Sequence, residues 1–158
     1  MGRYYNTGTG REGKFMFAIQ ESTDPEYMGM HEQGASYINY YADKKDEEII
    51  RKRLDEEYDA LKIPKKDRIY YIKQNDYMAQ DKYEKEHFYD KVFDYVKLDD
   101  TETIQKYDRK YHRFSSDREG YECFASFENA LHLARIRLAL VILSDIKDDG
   151  YCDLEAEC

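Results

Sequence analysis

The chain has no tryptophan, only two prolines and three cysteines among its 158 residues, and no long apolar run. Each shortage excludes something. A membrane-spanning helix needs about 20 apolar residues, whereas the longest apolar stretch, Ile136 to Leu143, is far shorter, is preceded by Arg135 and is interrupted at Arg137. The cysteines, Cys123, Cys152 and Cys158, are odd in number and lack C-x-x-C spacing, so neither a disulfide framework nor a zinc ribbon is expected. If the segment after Gly150 is a strand, Cys152 and Cys158 share a face but lie roughly 20 Å apart, too far to bridge. Met1-Gly2-Arg3-Tyr4-Tyr5 has no apolar signal region, and position 6 is Asn rather than the Ser or Thr that myristoylation favours. These features predict a soluble, intracellular, cytoplasmic protein. With no low-complexity linker and no internal repeat, the length predicts a single domain over 1–158.

Charge and tyrosine are what the chain has in quantity. Leu, Ile, Val and Phe make up about a fifth of it, and with a formal charge of −9 the composition borders on that of disordered proteins. Seventeen tyrosines tip the balance towards a folded chain, because large rings with few rotamers bury area at a small entropic cost. A buried phenol needs a hydrogen-bond partner, so most tyrosines belong at the margin of the core. Tyr is enriched in protein interfaces. In a core short of Val and lacking Trp, its use as filler ranks first.

Periodicity divides the chain. The glycine-rich Asn6–Gly13 reads as a loop, Lys14–Gln20 as a strand apolar on both faces, and Ser36–Ala42 as a second strand rich in β-formers. Asp43 suits the N-cap of a helix to about Leu61, with Ile50, Leu54, Tyr58 and Leu61 on one face. Pro64 closes it. Arg68–Lys73 is read as a short strand, with helix as the open alternative. The pattern Glu84, Phe88, Val92, Tyr95 predicts a helix from Tyr77 to Val96, and Thr101 is placed as N-cap of a further helix with Ile104, Tyr107, Tyr111 and Phe114 as its stripe. Cys123 to Asp148 forms the strongest segment, a central buried helix ended by Gly150. Tyr151–Glu157 then alternates with period two, as a half-buried strand does.

Several motifs bear on chemistry. Gly8-Thr9-Gly10-Arg11-Glu12-Gly13-Lys14 matches the opening of a phosphate-binding loop, but Phe15 stands where Ser or Thr must hold magnesium, and a strand follows instead of a helix. Nucleotide binding is not expected. Lys106, Arg109, Lys110, Arg113 and Arg118, with Tyr111 and His112 among them, form the one locally basic stretch. It could grip phosphate or an acidic partner; an ordinary solvated helix face ranks ahead, since −9 opposes nucleic acid. Glu128, His132 and Arg135 share one helical arc at i, i+4 and i+7 and could bring acid, imidazole and guanidinium together for acid–base work. His31, His87 and His112 show no metal-ligand spacing.

The segments Met1–Tyr5 and Gly13–Ser22, with the closing Cys152-Asp153-Leu154-Glu155-Ala156-Glu157, resemble a family of small uncharacterised proteins carried by viruses, phages and some microbes. The likeness covers roughly the first thirty and last ten residues. It implies a viral or mobile-element origin and interference with a host, and supplies no catalytic residue. The fold expected is α+β: a small, mainly antiparallel sheet joining Lys14–Gln20, Ser36–Ala42 and Tyr151–Glu157, packed on the long C-terminal helix, with the chain ends as neighbours and more helices around it. The function expected is non-catalytic binding of a protein partner, with Arg3, Tyr4, Tyr5 and Lys14 as contact surface, no cofactor, no metal and no direct nucleic-acid contact. Two alternatives stand beside it. One is an acidic mimic of DNA that occupies a nucleic-acid-binding protein, though basic residues interspersed throughout argue for plain solubility. The other is a small enzyme using Glu128, His132 and Arg135.

Overall fold

The computed structural model describes residues 4–7, 25–33, 39–73 and 77–157. In chain order its strands are β1 (Tyr4–Thr7), β2 (His31–Gln33), β3 (Asn39–Asp43), β4 (Phe93–Lys97), β5 (His112–Phe114), β6 (Tyr121–Ala125) and β7 (Tyr151–Glu157). Its helices are α1 (Glu47–Ala60), α2 (Tyr77–His87), the single turn α3 (Tyr89–Val92), α4 (Thr101–Lys110) and α5 (Phe127–Asp149). The fold is α+β, with small antiparallel sheets packed against the long C-terminal helix α5.

Capping sets where the two main helices begin and end. Asp43 Oδ1 accepts from the Lys45 N–H at 3.0 Å and Asp46 Oδ2 accepts from the Asp43 N–H at 3.0 Å, so the chain enters α1 through a short 3-10 turn. Ser126 Oγ accepts from the Asn129 N–H at 3.1 Å to start α5, and Gly150, in the left-handed region at φ 87°, donates to Ile146 O at 2.9 Å to stop it. Ile50, Leu54 and Tyr58 of α1 are fully buried, and every residue of α5 from Leu138 to Ile146 is buried. Each large apolar side chain buried between these helices contributes about 1.5–3 kcal/mol. Gly29 tightens the packing further. Its φ of 108° and its approach to Ile50, whose Cγ1 a Cβ there would meet at 3.0 Å, let the turn from Pro25 seat Met28 and Met30 in the core.

The first sheet has strand order β1-β7-β3-β2, all antiparallel, with Tyr40 opposite Leu154 and Ala42 opposite Cys152. Those four residues are buried, whereas Tyr41, Asp153 and Glu155 face away from the core. Tyr4 lies opposite Glu157, so the chain ends are neighbours as expected. The expected strand over Lys14–Gln20 and the glycine-rich loop before it lie outside the described residues, apart from Asn6 and Thr7, which belong to β1.

The middle of the chain departs from its periodicity. The helix expected over 77–96 stops at Val92, and Phe93–Lys97 becomes β4. The helix after Asp100 ends at Lys110, with Phe114 in β5. Its N-cap is Asp100, whose Oδ1 accepts from the Thr103 N–H at 3.2 Å, and not Thr101. Cys123 and Phe124 belong to β6, so α5 starts at Phe127. Together β4-β6-β5 form a second antiparallel sheet, whose residues helical periodicity assigns to the flanking helices. The physical reason is shared: strands of three to five residues are too short to impose a period of two against longer neighbours.

Residues 68–73 form no strand either. They lie as a strap bound by side chains. Tyr58 Oη donates to Ile69 O at 2.7 Å, the Ile72 N–H donates to Ser144 Oγ at 2.8 Å, and Tyr83 Oη donates to Asp67 O just ahead of the strap. Arg68 donates to Ile63 O and pairs with Asp55 and Asp59. Burial pushes the Tyr58 hydroxyl well above its ordinary value and the Tyr83 hydroxyl up to about 12, so both stay protonated as donors.

Candidate binding surface

Cationic side chains meet two different fates in this fold, and α5 shows the first. Arg135 and Arg137 are two residues apart, so they leave the helix on opposite sides. Glu57 of α1 receives Arg135, whose Nη1 donates to Oε1 at 3.1 Å. Glu84 of α2 receives Arg137 as a fork: Nε donates to Oε1 at 2.9 Å and Oε2 at 3.1 Å, Nη2 also donates to Oε1, and Gln80 Nε2 donates to Oε2 at 3.3 Å. Side-chain exposure is 4% for Glu57 and 2% for Glu84. A carboxylate this deep is tolerated only with a charge and hydrogen bonds around it, so these pairs hold α1 and α2 in register on α5.

The trio Glu128, His132 and Arg135 therefore does not converge on a shared point. His132 Nδ1 lies 2.5 Å from Glu57 Oε2, and because a carboxylate only accepts, Nδ1 carries the proton. Its Nε2 is 3.9 Å from Glu128, which is 82% exposed. Arg135 also lies over the Tyr27 ring, 3.9 Å from its centroid. Glu57, the centre of this cluster, is not among the residues that the sequence singles out. Its signal was its place on the buried stripe of α1, three residues after Leu54 and beside Tyr58, where an acid demands a partner. Glu84 stood on the α2 stripe in the same way.

Nucleophile chemistry finds little here. Burial pushes the Cys123 thiol up to about 12, the Asp117 charge adding to it, so the sulfur is held protonated. Cys152 is also buried. Among the described residues no group of three or more His, Cys, Asp or Glu is arranged to hold a metal. No helix among them is long and apolar enough to cross a membrane.

The second fate is seen on α4. None of its residues is buried. Its attachment is aromatic: the Tyr107 ring lies 5.0 Å from Phe124 of β6 and 4.8 Å from Tyr111, and Tyr107 Oη donates to Asp94 at 3.4 Å. Of the five cations in the basic stretch, three make ion pairs. Arg113 pairs with Asp108 at 3.1 Å and Glu122 at 3.6 Å, and Arg118 pairs with Asp90 at 3.6 Å and covers the Tyr95 ring at 3.9 Å. Lys106 pairs with the exposed Glu102, 3.9 Å away, and its charge also acts on Asp100. Arg109 and Lys110 are exposed and make no ion pair among the described residues. With Lys106, Tyr107 and Tyr111 they line an open concavity of about 420 Å³. Their position in the last turn complements the helix dipole, but that accounts for two cations at a terminus and not for the aromatic-walled hollow between three.

Of the residues expected to make contact, Tyr4 and Tyr5 occupy β1, opposite Glu157 and Ala156. Arg3 and Lys14 lie outside the described residues. The structure does not describe these four as a group, whereas it does bring Lys106, Tyr107, Arg109, Lys110 and Tyr111 together. No protein-family model, no curated protein and no solved structure matches the chain.

Proposed function

We propose that this chain is a non-catalytic domain that binds another protein, with α4 as its contact surface. The observation that supports this most is the contrast between its cations. Arg135 and Arg137 of α5 are neutralised by glutamates from neighbouring helices, whereas Arg109 and Lys110 of α4 stand in water beside a tyrosine-walled hollow. Aromatic and arginine side chains are what interface centres collect. Acid–base catalysis by Glu128, His132 and Arg135 is the weaker reading, because His132 and Arg135 both turn to Glu57 and Glu128 stays in solvent. The resemblance of both chain ends to virus-borne proteins makes a host protein the partner we propose.

Photo-cross-linking tests it. A benzophenone amino acid at position 110 should capture one polypeptide of defined mass in a lysate of the source cell. The same group at position 153, on the open face of the first sheet, should not. Equal yields from the two positions, or a product that nuclease removes, would contradict the proposal.

A further inference from the structure

Resting on the protein-binding reading above, we infer that the segment docking on α4 is an extended acidic stretch of the partner, with carboxylates on alternate residues. Spacing is the first argument. Lys106, Arg109 and Lys110 stand at i, i+3 and i+4 of α4, so Lys106 is the helical neighbour of each of the other two, with Cβ atoms about 5–6 Å apart. Alternate side chains of an extended peptide are about 6.5–7 Å apart on one side, so two alternate carboxylates can reach Lys106 and one of Arg109 and Lys110.

Charge is the second argument. Asp108, the acid nearest Arg109 in sequence, is drawn away by Arg113, and Glu102 is 84% exposed beside Lys106, where an ion pair is worth little. Arg109 and Lys110 in the last turn of α4 are thus left without a paired acid among the described residues, on a chain whose total is −9. That total decides between anionic partners. A nucleic acid presents a charge at every phosphate and meets the whole repulsion, while a short acidic peptide meets only the α4 field. Single-stranded nucleic acid also needs rings free for successive bases. Tyr107 is already in contact with both Tyr111 and Phe124, leaving one ring and not a row.

The test uses the full chain and a fluorescein-labelled (Glu-Ser)6 peptide, followed by anisotropy at low salt. Saturable binding is expected, weakened about tenfold or more by Arg109→Glu/Lys110→Glu and by a similar factor at high salt. Lys65→Glu/Lys66→Glu changes the net charge equally at exposed positions on another part of the fold and should leave the affinity within about twofold. No saturation by millimolar peptide, equal weakening by the two charge reversals, or tighter binding of a dT12 oligonucleotide overturns the inference. Cross-linking from position 110 to a polypeptide, alongside failure of the acidic peptide, would remove this inference and leave the protein-binding reading standing.

Discussion

Arg137 and Arg109 carry the same guanidinium on two helices of one small fold, and differ only in what faces them. Arg137 is 12% exposed and forked onto Glu84, which another helix delivers. Arg109 projects from a helix with no buried residue, beside two further cations. A charge taken out of water must be matched within the molecule, so Arg137 belongs to the architecture. A charge left in water needs no match, and two of them beside one hollow, Arg109 and Lys110, are open to another molecule. Residue type is therefore a poor guide to role here. The partner supplied by the tertiary fold is the better one.

Removing Glu84 attacks the comparison at its strongest point. Glu84→Ala leaves a buried guanidinium without its carboxylate and should cost about 3–5 kcal/mol in urea unfolding. Glu84→Leu with Arg137→Met removes both charges and should return the protein to within about 1 kcal/mol of the parent. If the single change costs less than about 1 kcal/mol, the buried pair is no more structural than a surface one.

Asp46 lies between the two extremes, largely buried yet next to the exposed His31. Burial alone would raise its carboxyl, but the His31 side-chain bond at 2.8 Å, the Asp43 N–H and the charges of His31 and Lys45 outweigh it and hold the group below its ordinary value. A depressed folded value means stability that is complete above the unfolded value near 3.8 and lost as pH falls through the folded one. Asp46→Asn should thus cost about 1 kcal/mol at neutral pH, and the gap to the parent should narrow as pH falls below the unfolded value near 3.8. Unfolding curves that stay separated there would show that the hydrogen-bond geometry matters and not the charge.

The smallest effect is expected on α4. Arg109→Glu/Lys110→Glu should change thermal stability by less than about 1 kcal/mol, since only the helix dipole loses a counter-charge. A larger loss would place these residues with Arg137 and erase the distinction.

Much of the frame is legible in the sequence. Asp43, Ile50, Leu54 and Tyr58 announce α1, Gly150 announces the end of α5, and the alternation from Tyr151 announces β7, because capping chemistry and strict periodicity act within a few residues. The second sheet is not legible. Phe93, Phe114 and Phe124 each continue an apolar stripe that a helix would also use, and only their pairing across the sheet makes them strands. The basic stretch is visible as five cations, but not which of them Asp108, Glu122 and Asp90 occupy.

The sequence by itself determined an α+β fold, a long apolar C-terminal helix and chain ends that meet in one sheet. Tertiary structure alone decided that Glu57 answers His132 and Arg135, that Glu84 answers Arg137, and that no carboxylate among the described residues answers Arg109 and Lys110. Local rules are written in neighbours along the chain, whereas the partner of a charge is chosen by packing between residues some fifty to eighty positions apart.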